Sequence, residues 1–212
     1  MSKRHSYEHS FAEALKTEIR WPKKGDKPFT PAAEPLDNAL IADNEHTRLV
    51  LMTDGYKQAA DLMVKHATEN PSTRDFLVFP ILFNYRHFLE LSLKYHLATF
   101  GRTVDIMPNW ASHDLEELFF SFWELLERFG TSDPDEADPI VGEVILEFAK
   151  IDPGSYSNRY PVDRKGNPIP IGQSALDLEN LADVIKAVDA YFTGTDGYLD
   201  HLVGAMPDLE NP

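Results

Sequence analysis

The chain has 212 residues, 42% hydrophobic and 26% charged, the proportions of a folded globular protein rather than a disordered one. It contains no cysteine, which excludes a disulfide framework, a cysteine nucleophile and any thiolate metal site, and which suits a reducing cytoplasm. The net charge of −15 is unevenly spread: up to residue 31 seven Lys/Arg stand against four Asp/Glu, leaving +3 there and −18 over the rest. A body that acidic repels phosphate backbones, so extended nucleic-acid binding by it is not expected.

At the N-terminal end, Phe11, Ala14, Leu15 and Ile19 recur at helical spacing and predict a short amphipathic helix. Pro22, Pro28, Pro31 and Pro35 then impose an extended linker, in which Trp21 and Phe29 are expected to dock on something. This basic arm reads either as a clasp for a second copy or another acidic surface, or as a tail. No apolar stretch of signal length opens the sequence, and its longest apolar run, Phe76–Phe83, falls far short of the about 20 residues that span a bilayer. The expectation is a soluble, cytoplasmic protein that makes no use of a membrane.

From Asp37 to Thr68 the apolar residues Leu49, Met52, Tyr56, Ala59, Ala60, Met63 and Val64 predict a helix, with Gly55 at its middle. "TENPSTRD" breaks it. A central helix follows from Arg74 to Phe100, containing Pro80 and stopped by Gly101. After a loop, "HDLEELFFSFWELLERF" predicts a strong helix, capped by Asp114 and apolar at Leu115, Leu118, Phe119, Phe122, Leu125, Leu126 and Phe129. An acidic loop and "IVGEVILEFAKI" give another short helix. "DPGSYSNRYPVDRKGNPIPIGQ" reads as a small ordered loop or hairpin turning at Lys165–Gly166–Asn167. The last helix is predicted from Ser174 to Val203, burying Leu176 among others, with "TGTDG" as an interruption. The sum is an all-α, up-and-down bundle of five or six helices. It divides into an arm at 1–45, a bundle at 46–203 and a tail at 204–212.

The central helix raises the functional question. Arg86, Glu90 and Lys94 stack along one stripe at i,i+4 spacing, with His87 beside them, and nearly every other direction is apolar. Either the strip faces water, with ion pairs worth about 0.3–0.5 kcal/mol each, or it lines a cleft or a dimer seam. In the second case Arg86 and Lys94 could hold an anion, with Glu90 orienting Arg86. His113–Asp114 reads as a helix cap or as a base with its orienter. Arg159, between Tyr156 and Tyr160 in an irregular loop, reads as a functional cation or as a loop-closing stack. If Arg86, His87, His113 and Arg159 converge, they form a cationic pocket suited to a nucleotide or phosphate, with Glu90, Lys94 and Tyr160 as further ligand-binding candidates. His5 and His9 stand i,i+4 but lie in the arm, no metal-ligand pair is convincingly placed on one helix face, and there is no Gly-rich phosphate loop or Gly-x-Ser-x-Gly elbow, so neither metal nor cofactor is expected.

The order "NYRHFLELSLKYHL", "SHDLEELF", "DPGSYSNRYPVDRKGNP" and "ALDLENLADVIKAVDAYF" resembles small prokaryotic proteins of the HEPN superfamily over residues 46–203. The resemblance implies an α-helical bundle, usually dimeric, in toxin–antitoxin, CRISPR-linked or phage-defence systems. Many members are metal-independent ribonucleases that use an Arg and a His with four to six residues between them. Others are inactive partners or nucleotide-associated modules. This sequence lacks that pair in its bundle; the one formal match is Arg4–His9 in the arm. The expected function is therefore an accessory or interaction protein of such a system, as a homodimer or with a partner protein. The alternatives are a ribonuclease with a non-standard site and a nucleotide sensor.

Overall fold

The computed structural model describes residues 20–131, 137–170, 172 and 174–205. Among these are five α-helices: α1 (Glu45–Glu69), α2 (Arg74–Phe100), α3 (Leu115–Phe129), α4 (Ala137–Ile151) and α5 (Leu178–Ala205). Neither the helix expected over Phe11–Ile19 nor the Arg4–His9 pair falls within the described residues.

Contacts divide the chain between Ile41 and Ala42. In the first unit a 3-10 turn, Pro35–Asp37, is braced by Asn38, whose side chain accepts from the Ala32 amide and donates to the Glu34 carbonyl. Trp21 and Phe29 are 73% and 98% exposed. The second unit begins before α1 because Arg48 reaches back to the carbonyls of Ala42 and Asp43.

The start of α1 lies later than expected. Asn44 caps it, accepting from the Thr47 amide at 2.9 Å, while Pro35–Asp37 turns separately. The helix runs unbroken through Gly55 and buries Ala60, Val64 and Ala67, small side chains that let α2 approach closely. Met52, expected on the inner face, is exposed.

Helix α2 has the expected bounds, and Pro80 lies within it without ending it. A proline there removes the donor that the Phe76 carbonyl would otherwise meet. Phe76 is exposed, so water can take that place. α2 is buried from Tyr85 to Phe100 on nearly all sides, packed against α1, α3 and α5.

Asp114 caps α3 by accepting from the amides of Glu116 and Glu117. At its other end Gly130 takes a left-handed φ of +69°, and the amides of Gly130 and Thr131 return to the last turn. α4 begins at Ala137, inside the stretch read as acidic loop. Between α4 and α5 a bridge pairs Val162 with Pro168 around a turn whose Gly166 has φ of +83°, a minimal hairpin. α5 starts at Leu178, because Asp177 supplies the cap by accepting from the amides of Glu179 and Asn180. Leu176 consequently lies before the helix and is 39% exposed, not buried, and "TGTDG" is helical throughout. α5 closes the bundle against α1, α2 and α4. The core is one apolar cluster drawn from all five helices.

Candidate functional site

The stripe on α2 meets neither water nor a cavity. Arg86, Glu90 and Lys94 are 0%, 1% and 3% exposed, and protein groups fill the space in front of them. Each Arg86 nitrogen donates a bond: Nη1 to Glu90 Oε2 at 3.0 Å, Nε to the Asp152 carbonyl at 2.9 Å, and Nη2 to the His113 carbonyl at 2.5 Å. Lys94 Nζ donates to Glu90 Oε1 at 2.9 Å, to the Ser112 carbonyl at 2.7 Å and to the Trp110 carbonyl at 3.4 Å. The Asp152 carboxylate lies 3.7 Å from Arg86 Nε. It also accepts from the amides of Tyr156 and Ser157 and from the Asn158 side chain.

Two buried cations thus face two buried carboxylates. Both cations also bind backbone: Arg86 that of two loops, one before α3 and one after α4, and Lys94 that of the loop before α3 alone. No buried side-chain nitrogen or oxygen among the described residues lacks a partner. An arrangement of this kind fixes loops onto a helix: every Arg86 nitrogen and the Lys94 ammonium are already engaged inside the protein. The expectation of a cationic strip opening onto a pocket is corrected accordingly. The alternative of a hydrated strip fails too.

Glu90 is the hub. Burial alone would push its carboxyl up, but bonds from Lys94 and His113 and their charges hold it below the ordinary carboxylate range. His113 Nδ1 lies 2.9 Å from Glu90 Oε1, while the ring is largely exposed. The orienter of His113 is therefore Glu90 and not Asp114, which serves the helix end. Sequence adjacency pointed to the wrong carboxylate, because Glu90 approaches from another helix.

The remaining candidates gather elsewhere, around Phe83. His87 stacks on Phe83 at 5.7 Å and meets the Tyr56 ring edge-on at 4.3 Å. Burial, outweighing attraction to Glu90, lowers its pKa and favours the neutral ring. Arg159 lies over Phe83 and Tyr160, at 5.6 and 5.8 Å, and donates to the Ser155 carbonyl. Tyr156 and Tyr160 stack at 4.5 Å. So Arg86, Glu90, Lys94 and His113 share one network, and His87, Arg159 and Tyr160 share a separate aromatic cluster. The four catalytic candidates do not converge on a pocket.

Two features were missed from the sequence. Asp152, the second carboxylate, stands in a run that gave no sign of it. His96, 2% exposed, holds its two ring nitrogens 2.8 Å from the Ser92 carbonyl and 3.1 Å from the Phe192 carbonyl, although a neutral imidazole can donate to only one.

Two cavities lie apart from both clusters. A cleft of about 720 Å³ opens between the first turns of α2, the second half of α4 and the start of α5. A smaller one, about 170 Å³, lies among α1, α2 and α5. No candidate residue lines either. Among the described residues no group of three His, Asp or Glu could hold a metal ion, and no helix is long and apolar enough to cross a membrane. Comparison with known protein families, with curated proteins and with solved structures gives no match.

Proposed function

We propose that this chain is a HEPN-like helical accessory protein of a prokaryotic defence or toxin–antitoxin type system. It acts by binding, as a homodimer or with a partner protein, and not by cleaving RNA. The supporting observation is the burial of Arg86: all three of its nitrogens are engaged inside the protein, two of them by loop carbonyls. Phosphate contact by Arg86 or Lys94 would require breaking a buried, charge-balanced network. A nucleotide sensor built on the same donors meets the same obstacle.

One observation favours the ribonuclease alternative. His113 is exposed and oriented by a buried carboxylate, the arrangement of a general base. Incubating the purified protein with total RNA, beside a His113→Ala variant, decides between the two. The accessory reading expects no cleavage by either. Cleavage by the wild type that vanishes in the variant would overturn it, and light scattering on the same sample measures the expected dimer.

A further inference from the structure

The large cleft has a patterned floor. Val78 and Leu82 on α2, Val144 and Phe148 on α4, and Leu181 and Val184 on α5 line it. Each pair is spaced i,i+3 or i,i+4, so each forms a ridge along its own helix. Between such ridges run grooves of the kind that receive the i, i+3, i+4 and i+7 side chains of another helix. At the edge Phe79 and Leu176 stay 41% and 39% exposed, and Phe76, 77% exposed, stands one turn before Phe79 on α2.

The walls carry charge of one sign. Asp75, Glu147, Asp177 and Glu179 line the cleft against a single cation, Arg74, which is tied by its Nε to the Ala67 carbonyl. Asp177 serves as the α5 cap. The side chains of Asp75, Glu147 and Glu179 make no hydrogen bond or ion pair among the described residues. An apolar floor inside an acidic wall selects against acidic amphiphiles and favours basic ones.

From the ridges and the wall charge together we infer that this cleft docks a basic amphipathic helix of a partner protein. Its apolar side chains seat between the three ridges, and its Lys or Arg side chains reach Asp75, Glu147 and Glu179. The inference rests on the accessory-protein reading for its biological sense, but it is tested separately: peptide binding and RNA cleavage are independent readouts, and either can fail alone.

The probe is a labelled Leu/Lys amphipathic helix of about 14 residues, with a Leu/Glu counterpart, followed by fluorescence anisotropy. The Leu/Lys peptide is expected to bind and the Leu/Glu peptide not to. Reversing the wall with Asp75→Lys, Glu147→Lys and Glu179→Lys should weaken binding about tenfold, the size expected of three exposed charge contacts. All three positions are exposed, and circular dichroism checks that the fold is kept. Phe79→Ser should weaken binding at high salt as well as low. Because the whole body is acidic, a second triple variant, Glu116→Lys, Glu124→Lys and Asp200→Lys, reverses charge away from the cleft and should leave affinity within about twofold. Equal loss in both triple variants, or equal binding of both peptides, would overturn the inference. A dimer that the cleft variant dissociates without any peptide would also overturn it, and would assign the cleft to a second copy.

Discussion

Replacing Glu90 by Ala tests the buried network most directly. The substitution removes the acceptor of Arg86 Nη1, Lys94 Nζ and His113 Nδ1, and leaves two cations, each under 4% exposed, of which Arg86 keeps the Asp152 carboxylate and Lys94 only backbone carbonyls. Breaking a buried pair by deleting one partner costs about 3–5 kcal/mol, because the other charge stays desolvated. That is a large part of the about 5–15 kcal/mol that holds a domain of ordinary stability. For a body of this size it corresponds to a fall in Tm of about 6–20 °C. Glu90→Gln keeps the shape and loses the charge, so it should fall between. Urea denaturation followed by circular dichroism measures both. The sign of the pH effect follows from Glu90 being held below its ordinary value of 4.5. A depressed carboxylate contributes stability that is fully present above the unfolded value and is lost as pH falls through the folded one. Below about pH 4.5 the wild type should therefore lose stability more steeply than Glu90→Gln. A Glu90→Ala variant within about 1 kcal/mol of wild type would refute the reasoning, since only hydrated charges cost so little to remove.

Three further outcomes are expected. Burial lowers the pKa of His96 despite its two carbonyl neighbours and the Asp196 charge, so the unfolded chain takes up the proton first. Stability should fall on acidification below the ordinary value of 6.5, and denaturation midpoints of His96→Phe should show a shallower slope there, with a remainder from His87, which is lowered in the same sense. Gly101→Ala should destabilise by about 1–3 kcal/mol: the new Cβ would sit 2.0 Å from the Ile106 carbonyl oxygen, although φ at Gly101 is an ordinary −64°. Asp114→Ala should cost about 1 kcal/mol through loss of the α3 cap, and Asp114→Asn much less, both read from thermal melts.

Much of the fold is legible in the sequence, for identifiable reasons. α3 announces itself through a wide apolar face between a capping Asp114 and Gly130, and α2 through its length of apolar residues ended by Gly101. The starts of α1 and α5 were misjudged because several side chains could cap, and only the chosen ones, Asn44 and Asp177, meet the amides. The site was legible to a lesser degree. Helical spacing says that Arg86, Glu90 and Lys94 share a stripe but not what lies in front of it. Here that is mostly backbone: the carbonyls of Trp110, Ser112, His113 and Asp152. A carbonyl oxygen is the same at every residue, so no side-chain pattern could reveal these partners.

The guanidinium of Arg86 joins two segments 39 residues apart in the chain, His113 and Asp152, at a single point on a rigid rod. Mechanically, the two connections behave as one rim with a common anchor. Insertions should be tolerated beyond the anchor, as at the outward turn around Gly166, and rejected at His113 or Asp152, where a shift of one residue would pull the opposite connection out of place.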